Sequence, residues 1–326
     1  MLVVYGVFQS TIENSQVLTF QQTINKNINA RISKAKGKST EILNILSEVS
    51  LGYHYFDIAM VFRNSMFINS VMTNSEVWYP IKENQLNGLI KEDKSLLKKI
   101  FQVPISTTNC LIYLESGQIP LQYIIKARRI KYLHYLLTSP RGEMLSNVFN
   151  AQQRNTLKGD WIQVVRKDVL DFSINDTFDE ISRKKEDSFK KEVTKACKKF
   201  TFNMLMKEKQ KREKGENLHY KNLEIQSYLI NEKFKYRDAL FLFKIRTEML
   251  DVRKNFSHKF MNNMTCQACN SHTDTQQGIL ECSALNSVQT KIKYSDLFST
   301  DLNVVEGALN KYKVLWKKRE KLFAEK

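Results

Sequence analysis

Apolar residues recur along this chain at spacings of three and four. Ile24, Ile28, Ile32, Ala35, Ile42, Ile45 and Leu46 keep the rhythm of one helix face, so 24–47 reads as an amphipathic helix with a weak point at Gly37. The run YHYFDIAMVFRNSMFINSVM at 53–72 is apolar nearly all round and predicts a buried helix. Leu86, Leu89, Ile90, Leu97, Ile100 and Phe101 line the next helix, with Lys91, Lys94, Lys98 and Lys99 elsewhere on it. ESGQIP then punctuates the pattern. Gly117 turns the chain, and Pro120 suits the first turn of a helix through LQYIIKARRIKYLHYLL, which SPRGE at 139–143 ends.

In TFDE, the Thr177 hydroxyl and Glu180 carboxylate are spaced to satisfy free amides at a helix start. Phe189, Val193, Cys197, Phe200 and Met204 follow at helical spacing, which places Cys197 in a core. Ile245, Met249, Val252 and Phe256 mark another helix. Leu302, Val305, Leu309, Tyr312, Trp316 and Phe323 form a three-four repeat interrupted at Arg319. This repeat predicts a C-terminal amphipathic helix docked on its own domain rather than a dimer seam. The fold class expected is mainly α, and the 10 Gly and 4 Pro in 326 residues agree with long helices over a turn-rich sandwich or barrel.

Charge adds the first functional hint. A net charge of +17 attracts polyanions, and 13 basic against 5 acidic residues fall between Arg183 and Lys214. Two basic patches stand out on helices. One is Lys126, Arg128, Arg129 and Lys131; the other includes Lys190, Lys191, Lys195, Lys198 and Lys199, with Arg246 and Arg253 further on. Lysine and arginine on helix faces neutralise phosphates and give affinity with little sequence information. Tyr123, Tyr132 and Tyr135 lie among the first patch and could stack on unpaired bases, although core packing competes for at least two of them. The apolar start MLVVYGVF is too short for a membrane span and lacks a basic flank. An intracellular protein, nuclear or cytoplasmic and not secreted, with RNA or DNA as partner and no membrane, is the expectation.

Enzymatic signatures are sparse. His54 and His134 sit in aromatic, apolar surroundings that favour packing over catalysis, and Cys110 in TTNCLIYLE reads the same way. No G-x4-G-K-[ST] phosphate loop occurs. Asp176, Asp179 and Glu180 suit a helix start. Three of the five cysteines are spaced as metal ligands in CQACNSHTDTQQGILEC: Cys266, Cys269 and Cys282.

Several phrases together, FINSVMTNSEVWYP, LIYLESGQIPLQYIIKARRIKYLHYLL, FLFKIRTEMLDVRKNF and C-x2-C with DTQQGILEC, resemble non-LTR retrotransposon polyproteins. The resembling region is the one C-terminal to the reverse transcriptase palm, a thumb-like set of helices followed by a zinc knuckle, and the likeness runs with gaps over about 25–300. It implies an N-terminal helical thumb-like region (1–80), a central helical region (81–165), a basic helical region (166–260), a degenerate knuckle (261–284) and a C-terminal helix (285–326). Polymerisation in that family needs a palm aspartate pair, and no Asp-Asp dipeptide occurs here; the endonuclease of some relatives needs Pro-Asp, which is also absent. The function implied is that of a truncated, catalytically inactive RNA- or DNA-binding remnant. The alternative is a helical protein-interaction scaffold whose basic charge is incidental. The family knuckle is C-x2-C-x8-H-x3-C, and its histidine position here is Gly278. A tetrahedral zinc needs four donors, so His272 is the nearest substitute if the loop rearranges, with His258 a more distant one and water the remaining option.

Overall fold

The computed structural model describes residues 14–48, 51–78, 83–138, 143–154, 160–212, 215–255, 264–286 and 292–324. The chain is mainly helical, as its periodicity predicts, and the pairing among described residues outside helices is limited to two isolated β-bridges. The stretch MLVVYGVF, the SPRG turn, Phe256 and His258 lie outside the described residues.

Helix α1 (Asn14–Glu48) runs unbroken through Gly37, around which space is open, so the expected weak point does not interrupt it. α2 (Tyr55–Phe62) widens into a π turn over Arg63–Ile68 and finishes as α3 (Asn69–Val71). α4 (Glu83–Ile100), α5 (Asn109–Ser116), α6 (Leu121–Thr138), α7 (Glu143–Arg154) and α8 (Trp161–Asp171) follow. Then come α9 (Phe178–Arg183), α10 (Glu186–Gln210), α11 (Tyr236–Arg246), the short α12 (Gly278–Glu281) and α13 (Leu302–Ala324). The chain groups into two compact units. One comprises residues up to Ile45, Met60–Leu96 and Gln118–Leu205; the other comprises Leu46–Ala59, Leu97–Gly117 and the chain from Met206.

In the first unit, α6, α7, α8, α9 and α10 enclose a core that includes Ile130, Leu133, Phe149, Ile162, Val165, Ile181, Phe189, Val193 and Cys197. The α9 start carries the expected capping box: Glu180 N–H donates to Thr177 Oγ1 at 3.2 Å, and Thr177 N–H donates to Glu180 Oε2 at 2.7 Å. His134 is buried, as expected, stacked on Phe189 and 2.9 Å from the Lys184 carbonyl. Burial also raises the Cys197 thiol to about 11, which keeps it unreactive at neutral pH. At the start of the π turn, Arg63 is fully buried. Its Nε and Nη2 donate to the two oxygens of Asp93 at 2.7 and 2.8 Å, and Nη1 donates to Gln118 Oε1 at 2.9 Å. Such a fork-to-carboxylate pair is stable inside a core only because nearly every donor is matched.

In the second unit, Phe101 stacks between Phe56 and Phe243, with ring centroids 5.0 and 4.1 Å apart and both ring pairs 13° from parallel. Gly117 caps α5 at φ +66°, and a Cβ there would lie 2.3 Å from the Ile225 nitrogen, so only glycine fits. Two residues earlier, Glu115 is fully buried. It accepts hydrogen bonds from Tyr220 and Tyr228, each at 2.6 Å, and from Arg246 Nε at 3.1 Å. The helix expected over Ile245–Phe256 is corrected: α11 stops at Arg246. Glu248 takes φ +56° and Met249 N–H donates back to the Lys244 carbonyl at 2.7 Å, a helix-terminating geometry that still buries Met249 and Val252. His54 is likewise corrected, since its side chain is exposed beside the Tyr53 ring. α13 docks within this unit, with Val305, Leu309, Tyr312 and Leu315 buried. Arg319, which breaks the apolar repeat, is buried too.

Candidate metal centre and basic helix faces

The metal-like segment folds as a tight loop. Cys266 N–H donates to the His272 carbonyl at 2.7 Å and Asn270 N–H donates to the Cys266 carbonyl at 2.8 Å, with Asn270 in the left-handed region at φ +53°. This turn brings Cys266 and Cys269 together. Cys282 arrives from the end of α12, and its Sγ lies 3.9 Å from that of Cys266. His272 Nδ1 lies 3.0 Å from Cys269 Sγ. The donor atoms of Cys266, Cys269, His272 and Cys282 all fall within 4.8 Å of one another. A tetrahedron with metal–sulfur bonds of about 2.3 Å has edges of about 3.8 Å, so these four residues could hold a metal ion with little movement.

The fourth ligand therefore needs no rearrangement: His272 is already turned inward. Its Nε2 is 3.1 Å from the carbonyl oxygen of Gly278. With Nε2–H donating there, Nδ1 is left as the basic nitrogen facing the thiolates. A Cβ at 278 would come within 3.1 Å of the His272 ring and 3.0 Å of the Thr273 carbonyl, so glycine makes room for the substitute ligand. Burial opposes ionisation of Cys269, but hydrogen bonds from Ser271 and neighbouring thiols outweigh it and bring the thiol to about 6. Cys282 is pushed up to about 11, chiefly by burial, so a bound cation has to displace its proton.

The loop is also a structural hub. Asp274 Oδ2 accepts from Arg319 Nη2 at 2.6 Å and from Arg253 N–H at 2.9 Å. Gln276 donates to the Ile245 carbonyl and to Tyr294 OH, both at 2.8 Å, and its own carbonyl accepts from Tyr312 OH at 2.8 Å. Nothing in the spacing of the cysteines signals these contacts.

The basic residues divide by environment. Arg246 is 6% exposed, and although burial opposes its charge, Glu115 more than compensates and holds it above its ordinary value. It belongs to a core, not to a phosphate-facing surface. Lys126 pairs with Asp168 and Asp171, and Arg129 Nε donates to Asp168 Oδ2 at 2.7 Å. Arg128 donates to the Met72 carbonyl and to Asn69, and Arg253 is half-buried at the metal loop. Lys131 Nζ donates to Thr194 Oγ1 at 2.9 Å. On α10, Lys191, Lys195, Lys198 and Lys199 are exposed, as is Lys190, which pairs with Glu186 one turn away. Tyr123 and Tyr132 pack against the core of their unit, whereas Tyr135 is 51% exposed. No helix among the described residues is long and apolar enough to cross a membrane. Comparison with protein-family models, curated proteins and solved structures finds no match.

Proposed function

We propose that this chain is a retroelement-derived, catalytically inactive RNA- or DNA-binding protein acting inside the cell, whose Cys3His cluster holds a structural zinc ion. The observation that carries the nucleic-acid reading is the lysine face of α10. Lys191, Lys195, Lys198 and Lys199 are all exposed on consecutive turns, in a chain of net charge +17. Such a face binds phosphates by releasing counterions. The retroelement origin rests on the sequence phrases quoted above. For the metal, three thiolates and one imidazole within 4.8 Å suit zinc best among common cations. Four protein donors leave no open coordination position, so the ion would fasten the loop rather than activate water.

The test is fluorescence anisotropy with labelled structured RNA and duplex DNA at about 50 and about 200 mM salt, where six to ten phosphate contacts weaken binding by about 10³–10⁵. Replacing the four lysines by glutamine should weaken binding at the lower salt and flatten the salt dependence. Absence of binding at the lower salt rejects the reading. For zinc, elemental analysis of the purified chain should return one ion per molecule; a metal-free protein whose Cys266, Cys269 and Cys282 react with a thiol reagent as fast as exposed controls rejects it.

A further inference from the structure

The first unit carries an aromatic plate beside a cluster of cations. On α6, Arg128, Lys131, Tyr132 and Tyr135 recur at helical spacing, within one face about 100° wide. Tyr132 and Tyr135 stack with centroids 5.8 Å apart and planes 18° from parallel, and Trp161 braces Tyr132 edge-on at 5.8 Å. Tyr132 thus backs one face of the Tyr135 ring. The 51% exposure of Tyr135 leaves much of the remainder to solvent.

α10 runs antiparallel alongside. His134 stacks on Phe189, Lys131 reaches Thr194, and Cys197 lies against the Tyr123 carbonyl, so the two helices approach along successive turns. The exposed Lys190 and Lys198 lie one turn to either side of Thr194. Lys131 is half-buried. Burial lowers its pKa first, Cys197 opposes this, and Lys190 and Arg128 lower it further. Crowding of like charge at a partly dry position is relieved by an anion. The acids around this surface are Glu76, which acts on Arg128 and Tyr132, Asp187, which acts on Lys190, and Glu186, itself 63% exposed and paired with Lys190 in an arrangement worth little in water.

We propose that the surface between α6 and α10 binds single-stranded nucleic acid, with Tyr135 stacking on an unpaired base while Lys131, Lys190 and Lys198 hold the adjoining phosphates. This rests on the nucleic-acid reading above and narrows it to a strand whose bases are free. A duplex offers the same phosphates but no accessible base face, so it gains nothing from Tyr135.

Anisotropy titrations with a U-rich RNA 15-mer, the matching T-rich DNA and a duplex of equal length test this on the full chain. Tyr135→Ala should weaken both single strands about 5- to 150-fold, the span of stacking on an aromatic side chain, and leave the duplex unchanged. Tyr135→Phe should restore single-strand binding, because the ring and not the hydroxyl does the stacking. Lys131→Gln with Lys190→Gln should weaken all three ligands and flatten their salt dependence. A preference for RNA over DNA or the reverse, with Tyr135→Ala active on both, supports the site and identifies its natural strand. Single-strand binding untouched by Tyr135→Ala overturns the site, and if the lysines of α10 still govern duplex binding the broader reading survives that failure. A chain that binds none of the three overturns both.

Discussion

His272 reaches the carbonyl oxygen of Gly278 through Nε2 at 3.1 Å, and this contact directs the opposite ring nitrogen at the thiolate cluster. Position 278 thus acts through its backbone, as the support of a histidine six residues earlier in the chain. Because losing an outer hydrogen-bond partner of a metal ligand costs about 10–100-fold in affinity, losing the ligand itself should cost more. His272→Ala should therefore lower zinc affinity by more than about 100-fold in competition with a chelating dye. His272→Cys should retain most of it. Gly278→Ala should weaken zinc less than His272→Ala does, because the added methyl presses on the His272 ring without removing it. Equal zinc affinity in His272→Ala and wild type would remove His272 from the ligand set.

The Glu115 cluster should dominate the mutational sensitivity of its unit. Glu115→Gln strips the charge facing a guanidinium that is 6% exposed, which typically costs about 3–5 kcal/mol. Tyr228→Phe removes one hydrogen bond to a carboxylate and should cost about 1.5–3 kcal/mol. Urea unfolding followed by circular dichroism measures both; a Glu115→Gln midpoint equal to wild type contradicts the role assigned to the cluster.

Thr177→Ala should cost about 1 kcal/mol by uncapping α9. The same box predicts a pH dependence. Backbone and side-chain hydrogen bonds from Thr177 hold the Glu180 carboxyl below its ordinary value of 4.5. A depressed folded-state value means that its contribution is present above the ordinary glutamate range and fades as pH falls through the folded value. Wild type and Thr177→Ala should accordingly converge in stability on acidification, as read by thermal melts between neutral pH and about pH 3. Curves that stay parallel would show that Glu180 does not contribute through its charge.

Neutralising basic residues should separate binding from folding. Asp168 is 2% exposed and holds both Lys126 and Arg129, so Arg129→Ala should lower stability. Lys191→Gln with Lys195→Gln should leave the melting temperature within the small range of surface changes while weakening RNA or DNA binding. The two variants exchanging these phenotypes would reverse the assignment of the two patches.

Periodicity carried most of the helices and the capping box because both depend on neighbours three or four residues apart. It failed where the buried face drifts around the helix. The stripe Phe189, Val193, Cys197 keeps a four-residue step to Thr201 and Leu205, drifting some 40° each time, instead of resetting by a three-residue step to Phe200 and Met204. Phe200 still packs partly buried against the core, while Met204 is 38% exposed. Buried ion pairs were illegible for another reason. Arg63 with Asp93, Glu115 with Arg246 and Asp274 with Arg319 are 30, 131 and 45 residues apart, and a lone charge in an apolar run names no partner. At the candidate metal site, spacing supplied the three cysteines, whereas the inward turn of His272 depended on loop backbone geometry that spacing does not encode.

The π turn at Arg63–Ile68 makes residue number, rather than hydrogen-bond continuity, the quantity on which this stretch depends. One residue more than an α-helix needs is stored there. A single-residue deletion within it would therefore heal into an ordinary helix with Arg63 and Val71 in nearly their present phase, so that Arg63 keeps Asp93 and the Val71 carbonyl keeps Arg31, 3.0 Å away. A deletion in the α-helical turns on either side has no such slack and would rotate whatever follows by about 100°. Length variation is thus absorbed at this one point and disruptive a turn away from it.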